Sequence, residues 1–123
     1  MKKIIFCTLI VSVFFATGFV IDLQPILVTE ADGVSESVSQ LNNEGVHLYK
    51  KGRFSEALIQ FSAAAEIDAL FWEAHYNCAV ALVAMKKPEE ALRHIELSRA
   101  IEPENMKTIE FYLSLLEKVN QSA

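Results

Sequence analysis

The feature that most constrains the fold is a tripeptide that occurs twice, 34 residues apart. Glu56-Ala57-Leu58 returns as Glu90-Ala91-Leu92, and the offset is 90 − 56 = 34. Across this offset small residues pair with small ones and large apolar residues with large apolar ones. A fixed period of this length is typical of stacked structural repeats. The further pairs are Asn43 and Asn77, Gly45 and Ala79, Leu48 and Leu82, Phe61 and Ile95, Ala64 and Ser98, and Ile67 and Ile101.

Within each repeat the apolar residues follow helical spacing. Steps of three and four residues, as in Leu41, Gly45 and Leu48, put side chains on one face of a helix. A helix breaker divides each unit in two. Gly52 can end a helix in the left-handed conformation, and Pro88 suits the first turn of a new helix but cannot continue the old one. Each unit is therefore predicted to be a helix hairpin, and the fold class is all-α.

A tandem of 34-residue helix hairpins resembles the tetratricopeptide repeat (TPR) family. That pattern has a large apolar residue, Leu-Gly, Tyr, Ala, Phe, Ala and a closing Pro. The chain departs from it with Glu44 for Leu, His75 for Trp and Ala69 for Pro. The matching positions are Leu41, Glu44-Gly45, Leu48, Ala57, Phe61, Ala64 and Ala69 in the first unit, and His75, Cys78-Ala79, Leu82, Ala91, Ile95, Ser98 and Pro103 in the second.

The resemblance implies a short α-α superhelix of two hairpins closed by a capping helix. It also implies that Gly45 with Ala57, and Ala79 with Ala91, lie where the two helices of a hairpin approach most closely, so larger side chains would force the helices apart. The expected bounds are a domain over 37–119, with repeats over 38–71 and 72–105, a capping helix over 106–119 and a tail over 120–123.

The first 21 residues form an apolar segment behind a basic start. Lys2 and Lys3 precede a run without charge over 4–21, long enough as a helix to span the hydrocarbon of a bilayer. One interpretation is a signal peptide, cut after Gly18 or Ala31; the other is an uncleaved membrane anchor. A buried helix of a soluble domain is a third, less favoured interpretation, because such a helix rarely lacks a polar stripe.

The basic start also predicts where the rest of the chain lies. Lys2 and Lys3 stay on the cytoplasmic side by the positive-inside rule, so the chain after Ile21 is expected to be extracytoplasmic. A Lys-Lys start is typical of bacteria, which favours the periplasm. Residues 22–36 are predicted to be a linker that carries a last apolar patch, Ile26-Leu27-Val28, and Ser37 with Gln40 is predicted to form a capping box.

In stacked hairpins the first helix of each unit lines a concave face. TPR domains hold extended peptides or helices there, so the resemblance implies a groove that binds another protein or a peptide segment. An alternative is that these side chains only pack between helices and that the asparagines make local bonds. The groove positions implied by the family spacing are Asn42, Asn43, Val46, Tyr49, Lys50, Tyr76, Asn77, Val80 and Val83, in which the tyrosines and valines would form an apolar floor.

The last helix has more apolar residues than one buried face requires. Ile109, Leu113 and Leu116 are predicted to face the repeats. That leaves Phe111, Tyr112 and Leu115 as a possible second interface, with a like copy in a homo-oligomer or with another partner. The alternative is that these residues are partly buried against the second hairpin.

We expect no catalytic residues, no cofactor and no metal. His75 and Cys78 have a spacing that metal sites use, and so do Glu90 and His94, but the first pair falls on packing positions and Glu90 begins a surface helix. The chain has no glycine-rich phosphate loop and no nucleophile motif. With Cys7 in the apolar segment, no internal disulfide is expected. The net charge of −5 disfavours nucleic acid as a partner.

Overall fold

A computed structural model describes residues 23–28 and 33–122, and in these residues the fold is all-α, without strands. The all-α prediction is therefore confirmed for this part of the chain. The predicted apolar segment over 1–21 lies outside the described residues. Among the helices that are described, none is long and apolar enough to cross a membrane. The five helices are α1 (Glu36–Lys50), α2 (Phe54–Ile67), α3 (Trp72–Ala84), α4 (Pro88–Ile101) and α5 (Met106–Ser122).

The helices pack in chain order. Helix α1 packs along α2 and α3 packs along α4, which gives two hairpins, and α2 packs on α3 to stack them. Helix α5 closes the stack against α4. A smaller contact joins α1 to α3, the first helices of the two hairpins. These two helices therefore lie side by side and form one continuous face.

Both hairpins turn through a left-handed residue. Gly52 has φ 77° and ends α1, with the amide of Arg53 donating to the carbonyl of Leu48 at 3.0 Å. At the same place in the second hairpin Lys86 has φ 62°, and the amide of Lys87 donates to the Leu82 carbonyl at 2.9 Å. These bonds satisfy carbonyls that the end of a helix leaves unpaired.

The hairpin core depends on small residues opposite large ones. Ala57 and Ala91 are both fully buried, and each lies in the core cluster of its own hairpin. A Cβ atom on Gly45 would lie 2.5 Å from a ring carbon of Phe61, which is also fully buried. That distance is too short for any real contact, so this position of α1 requires glycine while Phe61 keeps its place.

The predicted start of α1 is corrected. The helix begins at Glu36, and Ser35 precedes it without a side-chain cap, so Ser37 and Gln40 do not form a capping box. The amide group of Gln40 instead donates to the Glu36 carboxylate at 2.8 Å, one helical turn away.

The predicted face of α5 is also corrected. Its buried residues are Thr108, Phe111 and Leu115, whereas Leu113, which was expected to face the repeats, is 57% exposed. The 34-residue offset explains this orientation, because it relates the three buried residues to Ala74, Asn77 and Ala81, all buried in α3. Helix α5 therefore continues the register of the first helices of the hairpins.

Candidate peptide-binding groove

Residues 23–28, here called the groove segment, lie across the face formed by α1 and α3. The segment has no helical or strand pairing, and it contacts side chains of both helices. Ile26 and Val28 bond to the helices through their backbone, while the intervening Leu27 is 56% exposed. This alternation with a period of two is that of an extended chain.

Asn77 of α3 binds the backbone of Ile26 with both ends of its side-chain amide. Its Oδ1 accepts from the Ile26 amide at 2.6 Å, and its Nδ2 donates to the Ile26 carbonyl at 2.9 Å. The same Nδ2 donates to Oδ1 of Asn42 at 2.7 Å, and Asn42 adds a second bond to the Ile26 carbonyl at 2.8 Å. A side-chain amide thus replaces the neighbouring strand that an extended backbone would otherwise pair with.

Asn43 of α1 repeats this arrangement on Val28. Its Oδ1 accepts from the Val28 amide at 3.0 Å, and its Nδ2 donates to the Val28 carbonyl at 2.7 Å. The amide of Asn42 also donates to Asn43 at 3.3 Å. Asn77, Asn42 and Asn43, here called the asparagine ladder, therefore form one connected network in which each amide orients the next.

The apolar side chains of the groove segment reach two core clusters. Leu23 and Ile26 pack against the cluster that contains Tyr76 and Val80, and the Tyr49 hydroxyl donates to the Leu23 carbonyl at 3.3 Å. Val28 is itself buried, in the cluster that contains Val38, Ala64, Phe71 and Ala74. Backbone bonds thus fix the register of the segment, while apolar burial contributes most of the driving force.

The predicted groove residues divide into two groups. Asn42, Asn43, Tyr49 and Asn77 bond directly to the groove segment, and Tyr76, Val80 and Val83 belong to or pack on the cluster that receives Leu23 and Ile26. Val46 is not part of the floor: it is buried between helices, in the cluster of Phe61 and Cys78. Lys50 is exposed at the end of α1.

Tyr76 is held rigidly beneath the segment. Its ring is 5.3 Å from that of Phe111 and 6.2 Å from that of Trp72, in edge-to-face geometry at both contacts. Burial raises the pKa of its hydroxyl, and the charge of Glu110 raises it further. The floor under Leu23 and Ile26 is therefore neutral and largely aromatic.

The possible second interface on α5 is corrected by burial. Phe111 and Leu115 are both buried in the core cluster of the second hairpin. Tyr112 is half-buried, and the Arg99 guanidinium lies over its ring at 4.2 Å from the centroid. Two of the three residues are therefore unavailable to a partner while the helix is docked.

The residues considered for metal binding do not converge. Cys78 is buried beside Val46 and Phe61, with its sulfur 3.8 Å from the Ser62 hydroxyl, and burial raises its pKa to about 11. His75 instead stacks near His94, with ring centroids 6.2 Å apart. Within 23–28 and 33–122 there is no group of three or more potential metal ligands.

The sequence interpretation missed the groove segment as an occupant of the face. Leu23, Ile26 and Val28 were assigned to a linker, although an apolar, β-branched run between polar residues is a signal for an extended, buried stretch. It also gave Asn42 no function beyond a groove position, whereas the structure makes it the link between the other two asparagines.

No protein-family model matches the sequence, and comparison with curated proteins gave no match either. The TPR resemblance therefore stays a prediction, and function is inferred from the geometry of the groove.

Proposed function

We propose that the protein is a TPR-like interaction module whose concave face binds an extended segment of a partner protein. Two helix hairpins and a capping helix form the scaffold in this proposal. The partner belongs to an envelope-associated assembly, in which the protein acts as an adaptor without catalytic activity. The observation that carries the proposal is the asparagine ladder, because Asn77 and Asn43 each hold both polar groups of one peptide unit of the groove segment.

The bonding pattern is suited to peptides in general. Recognition through backbone N–H and C=O groups gives affinity without demanding particular side chains, as when a strand adds to a sheet edge. Selectivity then comes from the apolar floor around Tyr76 and Val80. Asn77 and Asn42 are fully buried, and a buried amide is costly unless all its groups are bonded. The ladder therefore favours having an extended chain in the groove at all times.

The proposed location rests on the sequence before the groove segment. The basic start and the apolar run over 4–21 support export, and the chain after Ile21 lies outside the cytoplasm in this proposal. Both a cleaved signal peptide and a retained anchor fit that run. The intact mass of the protein isolated from membranes and from the soluble envelope fraction separates them, because cleavage removes the first 18 or 31 residues.

Photo-crosslinking in the native cell tests partner binding. A photoreactive residue at Lys50, exposed at the end of α1 beside Tyr49, is compared with one at Arg93, exposed on α4. A discrete heterologous adduct from Lys50 and none from Arg93 is expected, and mass spectrometry then identifies the partner. Equal adducts from both positions, or none from either, would count against a groove-binding function.

A further inference from the structure

We infer that the groove selects an extended segment of the pattern large apolar–any–valine-sized, with a free N–H at both apolar positions, and that residues 23–28 are an internal copy of this ligand which a partner must displace. The inference rests on the proposed function and adds to it the chemistry of the partner segment and the control of its access.

The pattern follows from which peptide units are bonded. The amides and carbonyls of Ile26 and Val28 are all bonded to the asparagine ladder. In an extended chain the polar groups of alternate residues point in opposite directions. The peptide unit of Leu27 therefore points away from the ladder, and its exposed side chain places no demand on sequence.

Pro25 fits this register. It lies in the same phase as Leu27, where no N–H is needed, and proline has none to offer. A proline at position 26 or 28 would remove a donor that Asn77 or Asn43 accepts. The groove therefore tolerates proline before the first apolar position and excludes it from both bonded positions.

Attachment to the same chain makes the segment a strong competitor. Residues 29–35 join Val28 to the first residue of α1, and a short linker gives an effective concentration on the order of mM. An added segment of equal intrinsic affinity must exceed that concentration to replace it, so the apparent affinity of the wild-type protein is reduced in proportion to the fraction of open grooves. Weakening the internal segment should therefore uncover binding that the wild type conceals.

Fluorescence anisotropy with a labelled peptide of residues 22–30 tests this on the full-length chain. In Val28→Asp a charge replaces a side chain that is 3% exposed, which favours release of the groove segment. The matched control, Leu27→Asp, places the same charge on an exposed neighbour. We expect Val28→Asp to bind the peptide at least about ten-fold more tightly than the wild type or the control does.

Backbone methylation of the peptide tests the pattern. N-methylation at the residue equivalent to Ile26 or to Val28 is expected to weaken binding to Val28→Asp by about ten-fold, because each removes one bonded donor. N-methylation at the equivalent of Leu27 is expected to have little effect. Equal losses at the three positions would overturn the assigned register.

Other outcomes separate this inference from the proposed function. Equal affinity of the wild type and Val28→Asp for the peptide would overturn the internal competitor, while adducts from Lys50 would still support a partner in the groove. A folded Val28→Asp that binds no peptide would show that residues 23–28 are not a copy of the ligand. A wild-type dimer that Val28→Asp converts to a monomer would mean that the segment is exchanged between two copies, which contradicts competition within one chain.

If Val28→Asp fails to fold, hydrogen exchange on the wild type decides the question. The amides of Ile26 and Val28 are expected to exchange slowly alone and about ten-fold faster with saturating peptide, while α2 and α4 stay protected. Binding of the peptide without a change at these two amides would place it elsewhere and overturn the inference.

Discussion

Gly52 and Lys86 lie 34 residues apart, and both adopt the left-handed conformation that ends the first helix of a hairpin, with φ 77° and 62°. Glycine takes this conformation without penalty, whereas a residue with a Cβ atom is destabilised there by roughly 1–2 kcal/mol. The second hairpin therefore carries backbone strain that the first does not.

Replacing Lys86 with glycine is expected to stabilise the protein by about 0.5–1 kcal/mol, after allowing for the greater freedom of glycine in the unfolded chain. Lys87→Gly is the control, because Lys87 has φ −120° and gains nothing from glycine. Denaturant unfolding of the two variants measures the difference. A destabilised Lys86→Gly would show that the Lys86 side chain contributes more than its backbone costs.

Gly45→Ala is expected to destabilise the protein by about 1–3 kcal/mol, despite the higher helix propensity of alanine. The added Cβ atom would lie 2.5 Å from the ring of Phe61, which is buried and has little room to move. Glu44→Ala, an exposed neighbour on α1, is the control and should change stability little. Combining Gly45→Ala with Phe61→Leu should recover part of the loss, as measured by a double-mutant cycle.

The two bonded peptide units of the groove segment should respond separately to asparagine substitutions. Asn77→Ala leaves the Ile26 amide without its acceptor and is expected to cost about 1–3 kcal/mol of local stability. It should accelerate hydrogen exchange at Ile26 more than at Val28, and Asn43→Ala should do the reverse. Equal acceleration of both amides in each variant would mean that the segment is released as a unit.

Stability is expected to fall as the solution becomes mildly acidic. Burial lowers the pKa of His94, and the nearby His75 and Arg93 lower it further, while Glu90 opposes them. Below the unfolded value of 6.5 the unfolded chain therefore binds more protons than the folded one does. The stability contributed by neutral His94 is complete above that pH and is lost as pH falls towards the folded pKa.

Urea midpoints over a pH series measure this effect. His94→Gln should flatten the decline below pH 6.5, whereas His47→Gln, which changes an exposed histidine on α1, should leave it unchanged. The Nδ1 atoms of His75 and His94 are both buried without a hydrogen-bond partner within the described part of the chain. A decline as steep in His94→Gln as in the wild type would assign the proton uptake to another group.

Cys78 is expected to resist thiol reagents in the native protein. Burial raises its pKa to about 11, so little thiolate is present at neutral pH, and the side chain has no exposed surface. Maleimide labelling followed by peptide mapping should leave the Cys78 peptide unmodified until denaturant is added. Fast labelling of the native protein would show that α3 opens readily from α2.

The repeat offset carries most of what the sequence predicts about this fold. Gly45 against Phe61, and Gly52 at a helix end, are local requirements that composition and spacing reveal directly. The orientation of α5 was mispredicted because the helix has two apolar stripes, and one of them includes the exposed Leu113. Continuing the offset by one more repeat, from Asn77 to Phe111, selects the buried stripe.

The groove was predictable in its walls but not in its occupant. Asn43 and Asn77 were expected to bond a peptide backbone, and they contact one in the structure. The bond between Asn77 and Ile26 spans 51 positions of sequence, and no local pattern specifies such a partner. Val28 is buried only because the chain folds back over α1, which depends on the path of residues that the sequence pattern leaves unassigned.

The asparagine ladder gives the groove a gauge. One repeat of 34 residues, from Asn43 to Asn77, advances the bound chain by two residues, from Val28 to Ile26, or about 7 Å of extended backbone. The protein therefore measures its ligand in dipeptides, in the direction opposite to its own repeats. Counting stops where the next rung would stand, because that position holds the buried ring of Phe111. An array lengthened by one asparagine-bearing hairpin would measure one more dipeptide.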